Sequence, residues 1–240
     1  MNTNFNNFGV TDMNLRHFNE PNITRKLVDC SDFKNIYKDI KGISFFHLNI
    51  SSLLKHIDGL SALIEQLIPF EIIAITETRI SKESIPQNIE IPNYTSILTK
   101  TEAAAGGTAI YIRNSLTFKI RNDHKLLKEK FLESTFIEII QPKRENIIIG
   151  SVYKHPTLCK REFINDYLSP KLLSISKENK TSVILGDFNI NLTEGSADVN
   201  MMFLDVLTSN AFFPTINLPT RMTSFSVSYT HLTLPTIYSV

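Results

Sequence analysis

A polar residue stands at the end of each of four short apolar runs: Asn49, Glu77, Tyr153 and Asp187. If these runs are buried strands of neighbouring sheets, their carboxyl ends meet at one edge, where α/β proteins commonly build their sites. Asn189, two residues after Asp187, would leave the same edge in the following loop. The spacing therefore predicts one shared polar site.

These residue types indicate metal-dependent chemistry. The carboxylates of Glu77 and Asp187 and the amide oxygen of Asn49 are hard oxygen donors that suit Mg²⁺. Carboxylates at a metal can also activate water for attack on phosphorus, and Tyr153 could donate a hydrogen bond to a phosphoryl oxygen. The alternative is that each residue merely ends a buried strand; finding four in equivalent positions favours a site.

The elements that must position these residues are strands with apolar residues on both faces. The runs at 72–75, 147–149 and 183–185 consist almost entirely of Ile, Val, Leu and Ala. Strands buried on both faces indicate a layered α/β protein. The strand-length runs rich in β-branched and aromatic residues are 43–48, 71–76, 108–112, 135–140, 147–152 and 182–185.

Helical periodicity separates several of these strands. Residues 55–67 place Ile57, Leu60, Leu63 and Ile64 on one face, and residues 162–176 and 197–207 have similar patterns. The sequence contains no internal repeat and no linker long enough to divide it. We therefore predict a single domain.

Composition excludes several classes of protein. The chain has 240 residues and 27.3 kDa, of which 42% are hydrophobic and 20% charged, as in a globular protein rather than a disordered one. No apolar run is long enough to span a membrane, and the Asn-rich start lacks the features of a signal peptide. Cys30 and Cys159 are too few and too far apart for a disulfide framework or a zinc cluster. An intracellular, reducing location is expected.

Charge is unevenly distributed along the chain. The formal net charge is +1, but residues 119–180 carry 13 basic and 8 acidic side chains, a local charge of +5. This block could form a surface that faces phosphate groups. It could equally be a solvated face with no partner.

Seven sequence blocks together resemble the endonuclease/exonuclease/phosphatase superfamily. Within it, they are most similar to the endonuclease domain of non-LTR (LINE-type, jockey/CR1-like) retrotransposons, and the match covers about residues 28–224. Residues 1–27 are then an Asn-rich flexible leader, and residues 225–240 a tail that does not match. The blocks are HLNISSL (47–53), ITETRI (75–80), GGTAIYIR (106–113), LESTFIEI (132–139), GSVYKHP (150–156), LGDFNINL (185–192) and LPTRMT (218–223).

The resemblance implies a fold and an activity. The fold is an α/β, four-layer αββα sandwich of two mixed β-sheets flanked by helices, here incomplete at the C-terminus. The activity is Mg²⁺-dependent hydrolysis of DNA, with Mn²⁺ as a possible substitute, to nick target DNA for retrotransposition. The partners would be DNA and a downstream reverse transcriptase domain, in the nucleus, without membrane association or a small-molecule cofactor.

Roles carry over from the family to the residues that match its motifs. By resemblance, Asn49, Glu77 and Asp187 hold the metal, and Tyr153 contacts the scissile phosphate. Asp187 also orients or deprotonates the attacking water, with Asn189 as its partner at the phosphate. These assignments agree with the chemistry expected from the residue types alone.

Other residues near the motifs have less defined roles. Thr220 and Arg221 resemble the segment that approaches DNA near the nick. Arg113 and His155 are expected to be a solvated side chain and a loop residue. Arg79 stands where relatives often have Trp, and we expect this exchange to alter the surface of the site more than its chemistry.

The C-terminus departs from the family pattern. Relatives continue into a strand with Ile-Asp and then a Ser-Asp-His motif, whose His acts at the scissile phosphate. Here the 19 residues after Arg221 carry no charged side chain, and His231 lacks a preceding Asp. We therefore expect residues 225–240 to be foreign or frameshifted and the nuclease to be impaired.

Two other functions remain open. The same superfamily includes apurinic-site nucleases, inositol-phosphate phosphatases and sphingomyelinases, although the His-Pro after Lys154 and the LPTR block favour the retrotransposon branch. The chain could also be a non-catalytic nucleic-acid-binding remnant, which the missing His favours. A purely structural or interaction protein is a third reading.

Overall fold

Two β-sheets pack against each other and bring the ends of their parallel strands to one edge. The computed structural model describes residues 42–67, 69–83, 89–190, 192 and 198–215, and the backbone of three short strands at 8–9, 27–28 and 237–239. The strands are β1 (Phe8–Gly9), β2 (Leu27–Val28), β3 (Phe45–Asn49), β4 (Ile72–Thr76), β5 (Tyr94–Thr99), β6 (Thr108–Arg113), β7 (Phe118–Ile120), β8 (Leu127–Lys128), β9 (Leu132–Ile139), β10 (Ile147–Lys154), β11 (Ser182–Asp187), β12 (Phe212–Pro214) and β13 (Ile237–Ser239).

Both large sheets are mixed. The four-stranded sheet has the order β3-β4-β6-β5, with β3 parallel to β4 and the other pairs antiparallel. The seven-stranded sheet has the order β12-β13-β11-β10-β9-β7, with β8 also paired to β9, and its parallel pair is β10 with β11. The predicted pair of mixed sheets is confirmed.

Helices provide the crossover connections that parallel strands require. The helix α1 (Leu53–Gln66) joins β3 to β4. The connection from β10 to β11 is α2 (Lys160–Glu162), a π-helical turn (Phe163–Leu168) and α3 (Ser169–Ser176). A fourth helix, α4 (Asp198–Ser209), precedes β12. The three helical segments predicted from periodicity are confirmed, with ends shifted by one or two residues.

The inner faces of the two sheets form one apolar layer. Ile72 and Ile110 from the four-stranded sheet pack with Ile137, Ile149 and Val183 from the seven-stranded sheet, and all five are buried. Each of these strands also has apolar residues on its outer face, which explains the continuous apolar runs in the sequence.

The outer faces of the sheets are covered by helices. On one side, Leu53, Leu60 and Leu63 of α1 pack on Ile73 and Tyr111. On the other side, the helices contribute a second cluster on β9, β10 and β11, which includes Phe163, Leu172, Phe203, Phe136 and Ile184. The layers therefore follow the predicted order of helix, sheet, sheet and helix.

The two ends of the sequence lie largely outside the described residues. Of the predicted leader, the structure describes the backbone of β1 and β2, which pair antiparallel. Of the predicted foreign tail it describes the backbone of β13, which pairs with β11 and β12. The boundaries at residues 27 and 224, and the proposed C-terminal incompleteness, stay predictions.

Among the described residues, no helix combines the length and the apolar character that crossing a membrane would require.

Candidate active site

The carboxyl ends of the two parallel strand pairs meet at one edge of the sandwich. Asn49 ends β3, and Glu77 directly follows β4. Asp187 ends β11, and in the register of the sheet it lies beside Tyr153 of β10. Each sheet thus contributes two of the four polar residues that the sequence placed at strand ends.

Hydrogen bonds join these side chains across the two sheets. Asn49 Nδ2 donates to Glu77 Oε1 at 2.9 Å and to Asp187 Oδ2 at 2.9 Å. The Tyr153 hydroxyl donates to the same Glu77 oxygen at 3.3 Å. The structure therefore brings the four predicted residues together into one site.

The amide of Asn49 presents its nitrogen to the carboxylates. Its Oδ1 accepts a hydrogen bond from the Ser51 backbone at 3.2 Å. This orientation follows from the network, since carboxylates require donors and a backbone N–H requires an acceptor. Metal binding through Oδ1 would need the amide to turn, so the ligand role of Asn49 stays a prediction.

Asn189 holds Asp187 through the backbone. Its N–H donates to Asp187 Oδ1 at 3.1 Å, and its side-chain Nδ2 donates to the Lys154 carbonyl at 2.7 Å. Asn189 has a left-handed φ of 48°, a conformation that Asn tolerates better than most residues. This conformation turns the chain back so that Asp187 and β10 are both contacted.

Tyr153 is buried and remains a neutral donor. Its pKa lies well above the ordinary value, because the phenol is desolvated and because the charges of Glu77 and Asp187 disfavour a phenolate. The His155 ring lies edge-on to Tyr153, with 6.4 Å between centroids. His155 is thus close to the site, although it was expected to be an ordinary loop residue.

Arg79 contacts the site directly, which the sequence did not predict. Its Nη2 lies 3.1 Å from Glu77 Oε2 and 3.1 Å from Ser51 Oγ. Only its position two residues after Glu77 could have signalled this contact. The guanidinium pairs with the predicted metal-binding carboxylate, so a metal bound by Glu77 would have to compete with it. Glu77 and Asp187 each place a carboxylate oxygen 2.9 Å from the same Asn49 nitrogen, and two hard oxygen donors this close fit a divalent ion.

A fully buried lysine lies next to the site and was also missed. Lys154 follows Tyr153 on β10, and its Nζ donates to the His155 carbonyl at 3.1 Å. Burial lowers the pKa of Lys154 to about 8. In the sequence it reads as an ordinary charged residue at the end of a strand.

A second group of metal-ligand types lies at the opposite edge, near the start of β11. Ligand atoms of Asp123, His124 and Glu178 lie within 4.8 Å of one another. Arg121 occupies this group, since its guanidinium donates to Asp123 Oδ1 at 3.0 Å and to Glu178 Oε2 at 3.1 Å. Lys180 adds a second cation, 2.8 Å from Glu178. The acidic charge is already paired, so this cluster is an ion-pair network.

Of the remaining predicted residues, Arg113 lies away from the site and the others fall outside the described part of the chain. Arg113 lies at the other end of β4, where its Nη1 donates to the Pro69 carbonyl at 3.2 Å. Thr220 and Arg221, predicted to contact DNA, and His231 lie outside the described residues.

Comparison with known proteins gives a likeness in structure and none in sequence. No protein-family model matches the sequence, and no curated protein matches it. The endonuclease domain of TRAS1, a telomere-specific non-LTR retrotransposon, has a TM-score of 0.57 at 12% identity, over 82% of this chain and 85% of that chain.

Other solved structures match over similar lengths. The AP endonuclease LMAP from Leishmania major has a TM-score of 0.62 at 14% identity, over 86% of each chain. The 3′ phosphatase NExo from Neisseria, bound to a product DNA hairpin, has a TM-score of 0.57 at 11% identity, over 82% of this chain and 86% of that chain. The chain therefore has the endonuclease/exonuclease/phosphatase fold that the sequence indicated.

Proposed function

We propose that this protein is a metal-dependent endonuclease that hydrolyses phosphodiester bonds in DNA. The observation that carries the proposal is the network in which Asn49 bridges Glu77 and Asp187, with Tyr153 bonded to Glu77. Two carboxylates, an amide and a phenol at one edge of this fold form a site suited to phosphoryl chemistry.

Asp187 and Tyr153 have different roles in the proposed reaction. Asp187 is held on both oxygens, by Asn49 and by the Asn189 backbone, and can accept a proton from an attacking water. Tyr153 stays protonated and can donate to a phosphoryl oxygen. A divalent ion held by Glu77 and Asp187, either Mg²⁺ or Mn²⁺, would supply positive charge for the oxygens that become negative during hydrolysis.

The substrate proposal is target DNA of a non-LTR retrotransposon. It is supported by the order of the seven sequence blocks and by the fold likeness to the TRAS1 endonuclease domain. In this proposal the nick supplies the 3′ end that primes reverse transcription, in the nucleus, by a downstream reverse transcriptase domain. Thr220 and Arg221 approach the DNA near the nick. The near-neutral charge predicts modest affinity for random DNA.

Conversion of supercoiled plasmid to nicked circle tests the activity. In Mg²⁺ the parent chain should nick, at a rate lowered by the absence of the family's His, and Asp187→Asn should lower that rate about 100-fold or more, since it removes the proton acceptor. Asp205→Asn, which changes an exposed carboxylate on α4, is the matched control and should nick like the parent. Nicking by Asp187→Asn at the parental rate would refute the assigned role.

Removal of the metal tests the second half of the proposal. EDTA should abolish nicking, and Glu77→Gln should raise the Mg²⁺ concentration needed for half-maximal rate, because one ligand charge is lost. An unchanged metal titration would remove Glu77 from the set of ligands.

A substrate panel separates the alternatives. Plasmid, abasic duplex, 3′-phosphorylated duplex and phosphoinositide should be compared at equal enzyme concentration, because solved structures with this fold include an AP endonuclease and a 3′ phosphatase. Preference for any substrate other than plasmid would change the proposed class. Salt-dependent DNA binding without turnover of any substrate would instead support a binding remnant.

A further inference from the structure

A buried carboxylate lies close to the site and has no role in the chemistry proposed above. Glu133 is the second residue of β9, directly opposite Tyr153 of β10, and only 2% of its surface is exposed. Burial raises the pKa of Glu133 more than its hydrogen bond from Thr101 lowers it. Desolvating a carboxyl group is costly, so an acidic residue at this position calls for a specific explanation.

The hydrogen bond of Glu133 is to the segment that leads into β6. Its Oε1 accepts from Thr101 Oγ1 at 2.6 Å, whereas its buried Oε2 has no hydrogen-bond partner among the described residues. Gly106 lies against the carboxylate so closely that a Cβ atom there would be 3.0 Å from Oε1. The carboxylate therefore contacts both ends of the 101–107 loop, through a hydrogen bond to Thr101 and through packing against Gly106.

The same loop holds the backbone that follows Glu77. The carbonyl of Gly106 accepts from the Arg79 amide at 2.9 Å, and the carbonyl of Gly107 accepts from the Thr78 amide at 3.3 Å. These bonds require the two glycines to lie close to the chain, since a Cβ atom at Gly107 would be 2.3 Å from Thr78 Oγ1.

Glu77 needs such support because its backbone is strained. Glu77 and Arg79 both have φ of 53°, in the left-handed region. This region costs a residue other than glycine roughly 1–2 kcal/mol, and it persists where the surroundings fix it. Without the bonds to the 101–107 loop, the segment could relax and Glu77 would leave the edge shared with Asp187.

We infer that Glu133 is a positioning residue for the metal site: through Thr101 and the Gly106–Gly107 turn it holds the 77–79 segment, and so sets the place of the Glu77 carboxylate. This inference rests on the proposed function, because it gives that function a supporting residue outside the contact network of Asn49, Glu77, Tyr153 and Asp187. It does not require Glu133 to touch the metal or the DNA.

Two measurements on the intact chain test the inference. The first is Mn²⁺ affinity by electron paramagnetic resonance, and the second is hydrogen exchange of the Thr78 and Arg79 amides by NMR. Glu133→Ala should weaken Mn²⁺ binding about tenfold, at the low end of what outer-shell changes cost metal sites, and should speed exchange of both amides. Glu133→Gln keeps an acceptor for Thr101 and should stay within about threefold of the parent.

Matched variants separate positioning from general destabilisation. Glu138→Ala removes another fully buried carboxylate from the same strand, at the far end, and should lower stability without changing Mn²⁺ affinity or exchange at Thr78 and Arg79. If Glu133→Ala does not fold, Thr101→Val removes the same hydrogen bond, together with the one that Thr101 Oγ1 accepts from the Ala103 amide in the same loop, and it should shift both measurements in the same direction.

The outcomes distinguish this inference from the proposed function. If Glu77→Gln weakens Mn²⁺ binding but Glu133→Ala and Thr101→Val do not, the metal site stands and the positioning role of Glu133 is overturned. If the parent binds no Mn²⁺, the proposed metal site fails, and amide exchange alone decides whether Glu133 holds the 77–79 segment. Unchanged exchange in both variants would overturn that role as well.

Discussion

At the scale of single residues, the site depends on how two negative charges are kept close together. Glu77 and Asp187 both accept from the same nitrogen of Asn49, and like charges at this separation repel each other. Tyr153 and Arg79 supply further donors to Glu77. A bound cation would relieve the same repulsion, which makes the site receptive to a metal.

Arg79 should compete with a metal for Glu77. Replacing it by Ala removes a guanidinium that lies 3.1 Å from Glu77 Oε2, and we expect Mn²⁺ affinity to rise about three- to tenfold, which is the worth of a partly exposed charge-assisted contact. Titration calorimetry measures the affinity. Arg113→Ala, at the other end of β4, is the control and should leave it unchanged. Weaker Mn²⁺ binding by Arg79→Ala would contradict this competition.

The sequence predicts the residues of the site better than their orientations. The positions of Asn49, Glu77, Tyr153 and Asp187 follow from strand ends, which apolar runs reveal. The turn of the Asn49 amide and the contact of Arg79 depend on left-handed φ angles at Ser51, Glu77 and Arg79, which no pattern of residue types specifies. The fold was required to show them.

At the scale of elements, the parallel pair β10 and β11 approaches closely just before Asp187. A Cβ atom at Gly186 would lie 2.0 Å from the Val152 carbonyl oxygen. The neighbouring backbone therefore requires glycine at this position. In the Gly-Asp pair, Gly186 allows the two strands to lie close together and Asp187 provides the carboxylate of the site.

Gly186→Ala should separate these strands. The clash is with backbone, which cannot move aside as a side chain can, so we expect a loss of roughly 3 kcal/mol or more in the free energy of unfolding and displacement of Asp187. Urea denaturation measures the first effect and Mn²⁺ affinity the second. Gly42→Ala is the control, because Gly42 also has a positive φ, of 127°, but no atom of the described residues lies within 4 Å of a Cβ placed there. Equal effects of the two changes would rule out the steric explanation.

At the edge of the seven-stranded sheet that lies away from the candidate site, buried and half-buried carboxylates form a network of ion pairs. Glu138 of β9 accepts from Asn146 at 2.7 Å and from Lys180 at 3.0 Å, and Glu178 accepts from Lys180 and Arg121. Hydrogen bonds, first of all that from Arg121, lower the pKa of Glu178 to about 2. Burial alone would raise the pKa of Glu138, but its bonds to Asn146, Lys180 and Arg121 outweigh burial and lower it to about 2 as well.

These carboxylates should make the fold sensitive to acid. Because their folded pKa values lie below the unfolded value of roughly 4.3, their stabilisation is complete above that value and is lost as the pH falls towards 2. The urea midpoint should therefore drop between pH 5 and pH 3, and Glu178→Gln should reduce that drop. Glu65→Gln, an exposed carboxylate on α1, serves as the control. If the urea midpoint of Glu178→Gln drops as much as that of the parent, the ion pairs of Glu178 are not the cause of the acid sensitivity.

Strands with alternating or short patterns escaped prediction. The edge strand β5 mixes Tyr94, Thr95 and Ser96 with Ile97 and Leu98, and among the described strands its one partner is β6. β7, β8 and β12 have three residues or fewer, too few for a period to be recognised. All six strands that were predicted are central or carry site residues, and all but the partly buried edge strand β3 are almost wholly buried, which gives them long apolar runs.

At the scale of the whole molecule, each sheet contributes half of the site and the layer between the sheets holds the halves together. Asn49 and Glu77 come from one sheet, and Tyr153 and Asp187 from the other. The positions of all four therefore depend on how Ile149 and its neighbours pack between the sheets.

Ile149→Ala should weaken both the fold and the site. The side chain is fully buried between the sheets, and its loss should cost about 2–5 kcal/mol of unfolding free energy through lost burial and the cavity left behind. Urea denaturation measures the cost. Ile120→Ala, at a side chain that is 49% exposed, should cost less than about 1 kcal/mol. Similar costs for both would show that the layer between the sheets does not dominate stability.

The Asn49–Asp187 hydrogen bond also has a consequence for folding kinetics. Its two residues are 138 positions apart in the chain, and contacts of such large separation form slowly because a long loop must be closed first. During synthesis, β3 and β4 emerge from the ribosome well before β11, so the hydrogen bond between Asn49 and Asp187 cannot form until β11 has emerged. Metal affinity should therefore return only in the last phase of refolding. Following the recovery of Mn²⁺ binding over time would then report when the native state is complete.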